Sequence, residues 1–305
     1  MELLYFKVAN HFNIVDKPNN RSSHANITIR GGGIIFIMSL LVYGFFFDLH
    51  YPYFLAGAII ISLISFLDDL KPVSNKIRIF FHLISVILLF HQVGILYLHV
   101  YLVISAVIIA IGIINAINFM DGINGITAGY ALVALVTLWY IDKYAINYTD
   151  GNLIITVILG VIVFGFFNFR TKARCFAGDV GSVSIAFVLI FFIVQLVVSS
   201  GNPIYVLLLL VYGLDASTTI IFRLIRGENI FEAHRSHFYQ YLSNERKIPQ
   251  VYVAICYSIA QLLINVLVFR FLEISLIEGA CFLMISVLAF VALRFTVEGS
   301  SRLMK

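Results

Sequence analysis

Ten apolar runs, each near the length of a membrane-crossing helix, constrain this chain more than any other feature. Their approximate spans are 32–49, 51–67, 78–94, 97–117, 126–142, 152–168, 182–200, 203–222, 251–271 and 276–293. A bilayer core about 30 Å thick takes about 20 helical residues to cross. The runs are continuously apolar rather than alternating, so they read as helices and not as strands of a barrel. Of the 305 residues, 61% are hydrophobic and 12% charged, where soluble domains carry roughly 45–50% and 25%. The expected fold is therefore all-α: a polytopic membrane protein of about ten transmembrane helices. It reads as one membrane domain over 1–305, with an N-terminal segment 1–31, helices and loops in 32–293 and a tail 294–305. Cys175, Cys256 and Cys281 give neither an even disulfide framework nor a metal-ligand spacing. Residues 1–15 carry Lys7 and His11, are too short to span, and lack the order of parts in a signal peptide. They read as an interfacial helix.

Ten spans sort the loops into two sets. All of the 20 Lys and Arg except Lys143 and Arg270 fall in or beside 1–31, 68–77, 118–125, 169–181, 223–250 and 294–305. The positive-inside rule makes that set cytoplasmic, with both termini inside. The polar clusters fall in the same set, which points to a site facing the cytoplasm.

Asp68 and Asp69 end the second run, where a helix dipole disfavours negative charge. Such a pair wants a cation, either a metal ion or the following Lys71, Lys76 and Arg78. It reads as a metal or phosphate site, as a general base, or as compensated end charges. Asn115, Asn118 and Asp121 are three apart, one polar stripe if helical. Amides in a membrane helix need partners, whether ligands or neighbouring helices. Asp121-Gly122 and Asn124-Gly125 read as turns. Asp179, between Gly178 and Gly181, reads as exposed on a flexible turn before a helix beginning at Ser182, with Arg170, Lys172 and Arg174 nearby. Glycines allow close ligand approach and the helix start favours anions; an ordinary loop capped by Ser182 is the plainer account. His234-Arg235-Ser236-His237 suits phosphate oxygens better than zinc, or is a polar loop. Arg21-Ser22-Ser23-His24 and Arg30-Gly31-Gly32-Gly33 either cradle an anion or form a flexible entry to the first run. Asp215, inside the eighth run, is either functional or paired with Arg223.

In this order, these clusters resemble the polyprenyl-phosphate N-acetylhexosamine-1-phosphate transferases, which include the MraY-type enzyme of peptidoglycan synthesis and the WecA-type enzymes that start O-antigen and teichoic acid assembly. The resemblance runs from about Asp16 to Leu242. Asn115 to Gly125 is similar to the family's Asn-x-x-Asn-x-x-Asp-Gly-x-Asp-Gly stretch, and Phe176-Ala-Gly-Asp-Val-Gly-Ser182 to its Phe-Met-Gly-Asp-x-Gly-Ser block. Asn124 stands where the family usually has Asp; Tyr239 and Gln240 replace its later histidines, as in the branch that starts O-antigen and capsule chains. The family carries a further membrane helix ahead of the first motif, where this sequence has about fifteen residues before Asp16.

The resemblance implies transfer of a sugar-1-phosphate from a UDP-N-acetylhexosamine to polyprenyl (undecaprenyl) phosphate in the bacterial inner membrane, releasing UMP. It implies Mg²⁺, with Mn²⁺ as a substitute, no nucleic-acid partner, and room for a homodimer. By the same resemblance Asp179, with Asp121, would hold the metal. Asp68 or Asp69 would deprotonate or orient the lipid phosphate. Lys76, Arg78, His234, Arg235 and His237 would hold phosphates. Asn115, Asn118, Asn124, Asn168 and Phe176 would line the nucleotide-sugar pocket, with Arg21, His24, Arg30 and Asp215 in support. Direct attack and a covalent aspartyl intermediate both remain open. Two other classes share some features: an intramembrane prenyltransferase, which expects two motifs of spaced carboxylates, and an anionic-solute transporter, which expects charge near mid-span and internal symmetry.

Overall fold

The computed structural model describes residues 1–16, 27–47, 49–230, 232, 234–270 and 275–305. Each of the ten apolar runs forms a helix: α2 (Ile34–Phe46), α3 (Pro52–Leu70), α4 (Asn75–Val93), α5 (Val100–Met120), α6 (Ile126–Tyr144), α7 (Gly151–Asn168), α8 (Gly178–Ser200), α9 (Leu210–Ile225, entered through a 3-10 turn from Pro203), α11 (Gln250–Arg270) and α12 (Leu276–Glu298). Eight of these segments are long and apolar enough to cross a membrane. The other two are α2, with 13 residues, and α6, which ends in Asp142-Lys143. The chain is an all-α, multi-pass membrane protein. Short helices α1 (Glu2–His11), α10 (Phe238–Asn244) and α13 (Ser300–Met304) lie outside the spans.

The central helix is α8, with 83% of its spanning window buried, packed against α3, α5, α2 and α6. It begins four residues before the run that marks it, at Gly178 rather than Ser182. The cause is not local. The Asp69 carboxylate, at the end of α3, accepts the backbone N–H groups of Asp179 and Val180, both at 2.9 Å. Those are first-turn donors that a helix leaves unpaired. Asp179 therefore sits in the first turn of α8, not on a loose turn before it. Ser182 does not cap; its hydroxyl donates to Asn118 Oδ1 and to the Gly178 carbonyl.

Two glycine contacts make this junction. Gly178 has φ +70°, and a Cβ there would lie 2.5 Å from Asp69 Oδ2. At the α2–α8 crossing, a Cβ on Gly33 would lie 2.2 Å from the Gly181 Cα. Backbone meets backbone there, which brings Arg30, just ahead of α2, to the start of α8.

The N-terminal segment packs at this same end. Val15–Asp16 pairs antiparallel with Thr28–Ile29, and Ile29 bridges to Cys175. From α1, the Tyr5 hydroxyl donates to the Arg30 carbonyl at 2.6 Å, while Leu4, Val8 and Phe12 stay exposed.

Polar clustering is not confined to one end. At the opposite end, Asp142 Oδ1 accepts the N–H groups of Tyr148 and Thr149, and Asp150 accepts the Tyr43 hydroxyl. Tyr43, a donor in this patch, counts among the hydrophobic residues of the sequence, and its partner Asp150 lies 107 residues away.

Candidate active site

A cavity of about 340 Å³ opens beside the start of α8, lined by Asp16, Arg30, Asn118, Asp121, Gly122, Ile123, Asn124, Asn168, Phe176, Gly178, Asp179, Gln240 and Gln250. Its charged wall is a knot of carboxylates and guanidinium groups. Arg30 Nε lies 2.6 Å from Asp69 Oδ1, and its Nη2 lies 3.9 Å from Asp179 Oδ2. Arg78 Nη1 is 3.0 Å from Asp68 Oδ2, and Asp68 Oδ1 accepts the Val73 N–H at 2.6 Å. The carboxyl groups of Asp68 and Asp179 lie close enough to share a proton. Two carboxylates this close need a shared proton or a cation between them.

The adjacent aspartates thus have different work. The Asp69 side chain is fully enclosed, 0% exposed, with both oxygens spent on α8 and Arg30. It holds the junction and has no face left for a reactant. Asp68 is nearly enclosed and reaches Asp179. The Asp179 side chain is 22% exposed and lines the cavity.

The stripe expected from Asn115, Asn118 and Asp121 is broken, because α5 stops at Met120. Asn115 bonds back to the Ile111 carbonyl at 2.9 Å and is absent from the cavity wall. Asn118 and Asp121 do line it. Burial lifts the Asp121 carboxyl from its ordinary 3.8 to about 6, and nearby Asp69 adds to the shift, while the Thr127 hydroxyl bond and Arg30 oppose it.

Asn168 is buried with both ends of its amide committed, accepting from Gly125 N and donating to the Cys175 carbonyl. It staples three segments of the wall. Asn124 Nδ2 donates to the carbonyls of Arg170 at 3.0 Å and Thr171 at 3.3 Å. A carboxylate here would face two carbonyl oxygens, which accounts for an amide at this position. Phe176 lines the cavity, with its N–H on the Ile29 carbonyl.

The histidine motif lies apart from the cavity wall. His237 is buried, with Nδ1 3.3 Å from Asp215 Oδ1. Asp215 also accepts the N–H groups of Phe238 and Tyr239 and the hydroxyls of Tyr257 and Thr219. It does not pair with Arg223, which bonds Glu228 Oε2 at 2.8 Å and the 229–230 carbonyls instead. His234 is pushed down to about 4 by burial, with His237 and Arg223 adding to the effect, so its ring is neutral at pH 7. Arg235 is half-buried and Lys76 exposed. Arg21 and His24 lie outside the described residues.

Asp16 and Gln250 join the cavity wall without any motif to announce them, and Gln240 joins it from just after the histidine motif. Gln250 opens α11 and accepts the Asn124 N–H at 3.0 Å; only its place after Pro249, at a helix start, hints at a fixed position. Among the described residues, no three His, Cys, Asp or Glu side chains converge as a preformed metal cage.

The sequence pattern of glycosyl transferase family 4 matches residues 51–197, a stretch holding Asp68, Asp69, Asn118, Asp121 and Asp179. The "Probable undecaprenyl-phosphate N-acetylglucosaminyl 1-phosphate transferase" of Bacillus subtilis (strain 168) is 28% identical over 265 residues, which is 77% of this chain and 71% of that protein. The "Undecaprenyl-phosphate alpha-N-acetylglucosaminyl 1-phosphate transferase" of Yersinia pestis is 27% identical over 260 residues, 76% of this chain and 70% of that protein. The "Phospho-N-acetylmuramoyl-pentapeptide-transferase" of Dictyoglomus thermophilum is 31% identical over 208 residues, 60% of this chain and 62% of that protein.

Proposed function

We propose, from the premise that this chain belongs to the MraY/WecA-like glycosyl transferase family 4, that it moves an N-acetylhexosamine-1-phosphate from its UDP nucleotide to undecaprenyl phosphate. The observation that carries the reading is the cavity at one end of an intramembrane bundle, walled by Asp179, Asp121 and Arg30 beside the amides of Asn118 and Asn124. Both substrates are anionic, and one is held in the bilayer beside that end. The names of the relatives, which specify undecaprenyl phosphate and a sugar 1-phosphate, support the same chemistry. The positive-inside rule supports a cytoplasmic face for the site, because nearly all Lys and Arg sit at this end.

In this reading an oxygen of the lipid phosphate attacks the sugar-bearing phosphorus of the nucleotide. The new oxygen–phosphorus bond forms as the bond to the bridging oxygen breaks, and UMP leaves with that electron pair. Phosphoryl transfer asks chiefly for positioning and charge neutralisation. Arg30 and Arg78 supply fixed positive charge beside the carboxylates. Asp68 orients the lipid phosphate. Asp69 acts through others, fixing the start of α8 and the angle of Arg30. Asn118, Asn124 and Phe176 shape the nucleotide-sugar pocket.

Mg²⁺ fits the donor set. Asp179 and Asp121 present carboxylate oxygens to the cavity, and few protein oxygens suit an ion that keeps waters and takes substrate phosphates as ligands. Asp179 would hold it, with Asp68 or Asp121 beside it. When bound, it would supply Lewis-acid neutralisation of the diphosphate.

The test is a membrane assay with Mg²⁺, undecaprenyl phosphate and radiolabelled UDP-N-acetylhexosamines, reading labelled lipid and released UMP. Metal-dependent labelling with one or more of these sugars is expected. No labelling from any of them, by protein shown to be folded, would contradict the reading.

A further inference from the structure

The last span carries a buried arginine whose bonds lead away from the lipid and toward the histidine loop. Only 6% of the α12 spanning window is buried, yet Arg294 on it is 1% exposed. A charge enclosed in protein is costly unless its donors are taken up. Glu298, one turn on, takes the Nε at 2.5 Å. That ion pair alone would settle the charge within α12. Arg294 instead spends both remaining nitrogens elsewhere. Nη1 donates to the hydroxyls of Thr218 at 3.0 Å and Thr219 at 2.8 Å, and Nη2 donates to the Ser236 carbonyl at 3.0 Å.

Two of these bonds, to Thr219 and to Ser236, continue toward His237. The Thr219 hydroxyl, having accepted from Arg294, donates to Asp215 Oδ1 at 3.2 Å. The same oxygen faces His237 Nδ1 at 3.3 Å. Ser236 is the residue between the Arg235 and His237 positions, so its carbonyl sets the turn from which the His237 ring projects. The ring is therefore fixed from two sides: through Asp215 at Nδ1, and through the backbone just before it. With Nδ1 held by a carboxylate, Nε2 is the ring atom left for other chemistry; it is buried and has no hydrogen-bond partner within the protein.

We infer that Arg294 is a positioning residue for the transfer reaction: through Thr219–Asp215 and through Ser236 it fixes the ring of His237, making the last membrane helix part of the working unit. The inference rests on the reading given under Proposed function, together with the expectation from the sequence that His237 holds a phosphate. It assigns Arg294 no contact with either substrate.

The test is steady-state kinetics of the full-length protein with UDP-N-acetylhexosamine and undecaprenyl phosphate. The variants are Arg294→Met, Arg294→Lys, Thr219→Val and His237→Gln, with the two double variants that add His237→Gln to Arg294→Met and to Thr219→Val. A displaced catalytic group costs on the order of ten- to hundredfold in rate. Arg294→Met should lose about that much in kcat with KM for the nucleotide sugar nearly unchanged, and Arg294→Lys should recover part of it. In the His237→Gln background the Arg294→Met and Thr219→Val losses should vanish. Thr219→Val leaves no buried charge behind, so it decides the matter if Arg294→Met does not fold. Wild-type kcat in both Arg294→Met and Thr219→Val, or losses that multiply with His237→Gln, would overturn the inference. A wild-type protein that transfers none of the sugars would instead remove the functional reading beneath it.

Discussion

The two ends of the bundle hold similar side chains in opposite states. At one end Asp142 closes its own loop, both bonds to Oδ1 coming from backbone N–H groups six and seven residues on. Asp150 caps α7 through the Asn152 N–H and takes the Tyr43 hydroxyl. These carboxylates stand singly, and each is met by neutral donors that tie loops to helices. At the other end Arg30, Asp121 and Asp179 line one cavity, with Asp69 tied to Arg30 and Asp68, its neighbour in sequence, tied to Arg78. Asp68 and Asp179 lie close enough to share a proton. Crowded like charges are tolerated where something else is to be bound, because stability alone would separate them. What distinguishes a site from a well-made helix end is thus the company each aspartate keeps, not the aspartate.

Substitutions can sharpen or break that contrast. Asp69→Asn should have the largest combined effect. It removes one acceptor from the start of α8 and the partner of Arg30, costing about 2 kcal/mol of stability and about a hundredfold or more in transfer rate. Thermal unfolding in detergent and the lipid-labelling assay should both report it. Normal stability with lost activity would show instead that Asp69 meets a reactant directly.

Next comes pH. Burial raises Asp121 from its ordinary 3.8 to about 6, so the folded protein binds this proton more tightly than the unfolded chain. Its contribution to stability is full below pH 4 and is lost as pH rises through 6. The ionised form is the one that serves the cavity, so KM for the nucleotide sugar should climb as pH falls below 6. Asp121→Asn should flatten that dependence at a raised KM, about tenfold at pH 7.5 by loss of one charge-assisted contact of roughly 1.4 kcal/mol. A wild-type profile in the variant would remove Asp121 from the site.

The smallest effect belongs to the other end. Asp142→Ala should cost about 1 kcal/mol, as losing a cap does, and leave kcat and KM alone. Lost activity in a folded Asp142→Ala protein would erase the distinction between the two ends.

The ten helices were legible because a bilayer demands long apolar runs, and the runs say where they are. Where α8 begins was not, because its first turn is capped by Asp69 from more than a hundred residues away. The same non-local bond turns the adjacent Asp68 and Asp69, alike on paper, into residues with different work. Asp179, Asp121, Asn118 and Asn124 were legible as motif members and do line the cavity. Asn168 also lines it, with both ends of its amide spent on the wall, while Asn115 carried the same signal and lies outside the lining. Arg294 looked like one more positive charge at a helix end, and Gln250 like an ordinary polar residue. Spacing along the chain cannot separate these cases, because the partners come from other helices.

The account is tested most directly by Asp179→Asn. Metal-dependent transfer of labelled sugar phosphate to undecaprenyl phosphate should be measured beside the unfolding temperature of the same preparation. Asp179 is the partly exposed carboxylate of the knot, so transfer should fall about a thousandfold, as when a charge-stabilising group is removed from an active site, with the unfolding temperature near that of wild type. Wild-type transfer by the variant, or activity lost only in step with unfolding, would contradict the claim that the crowded end exists to bind reactants.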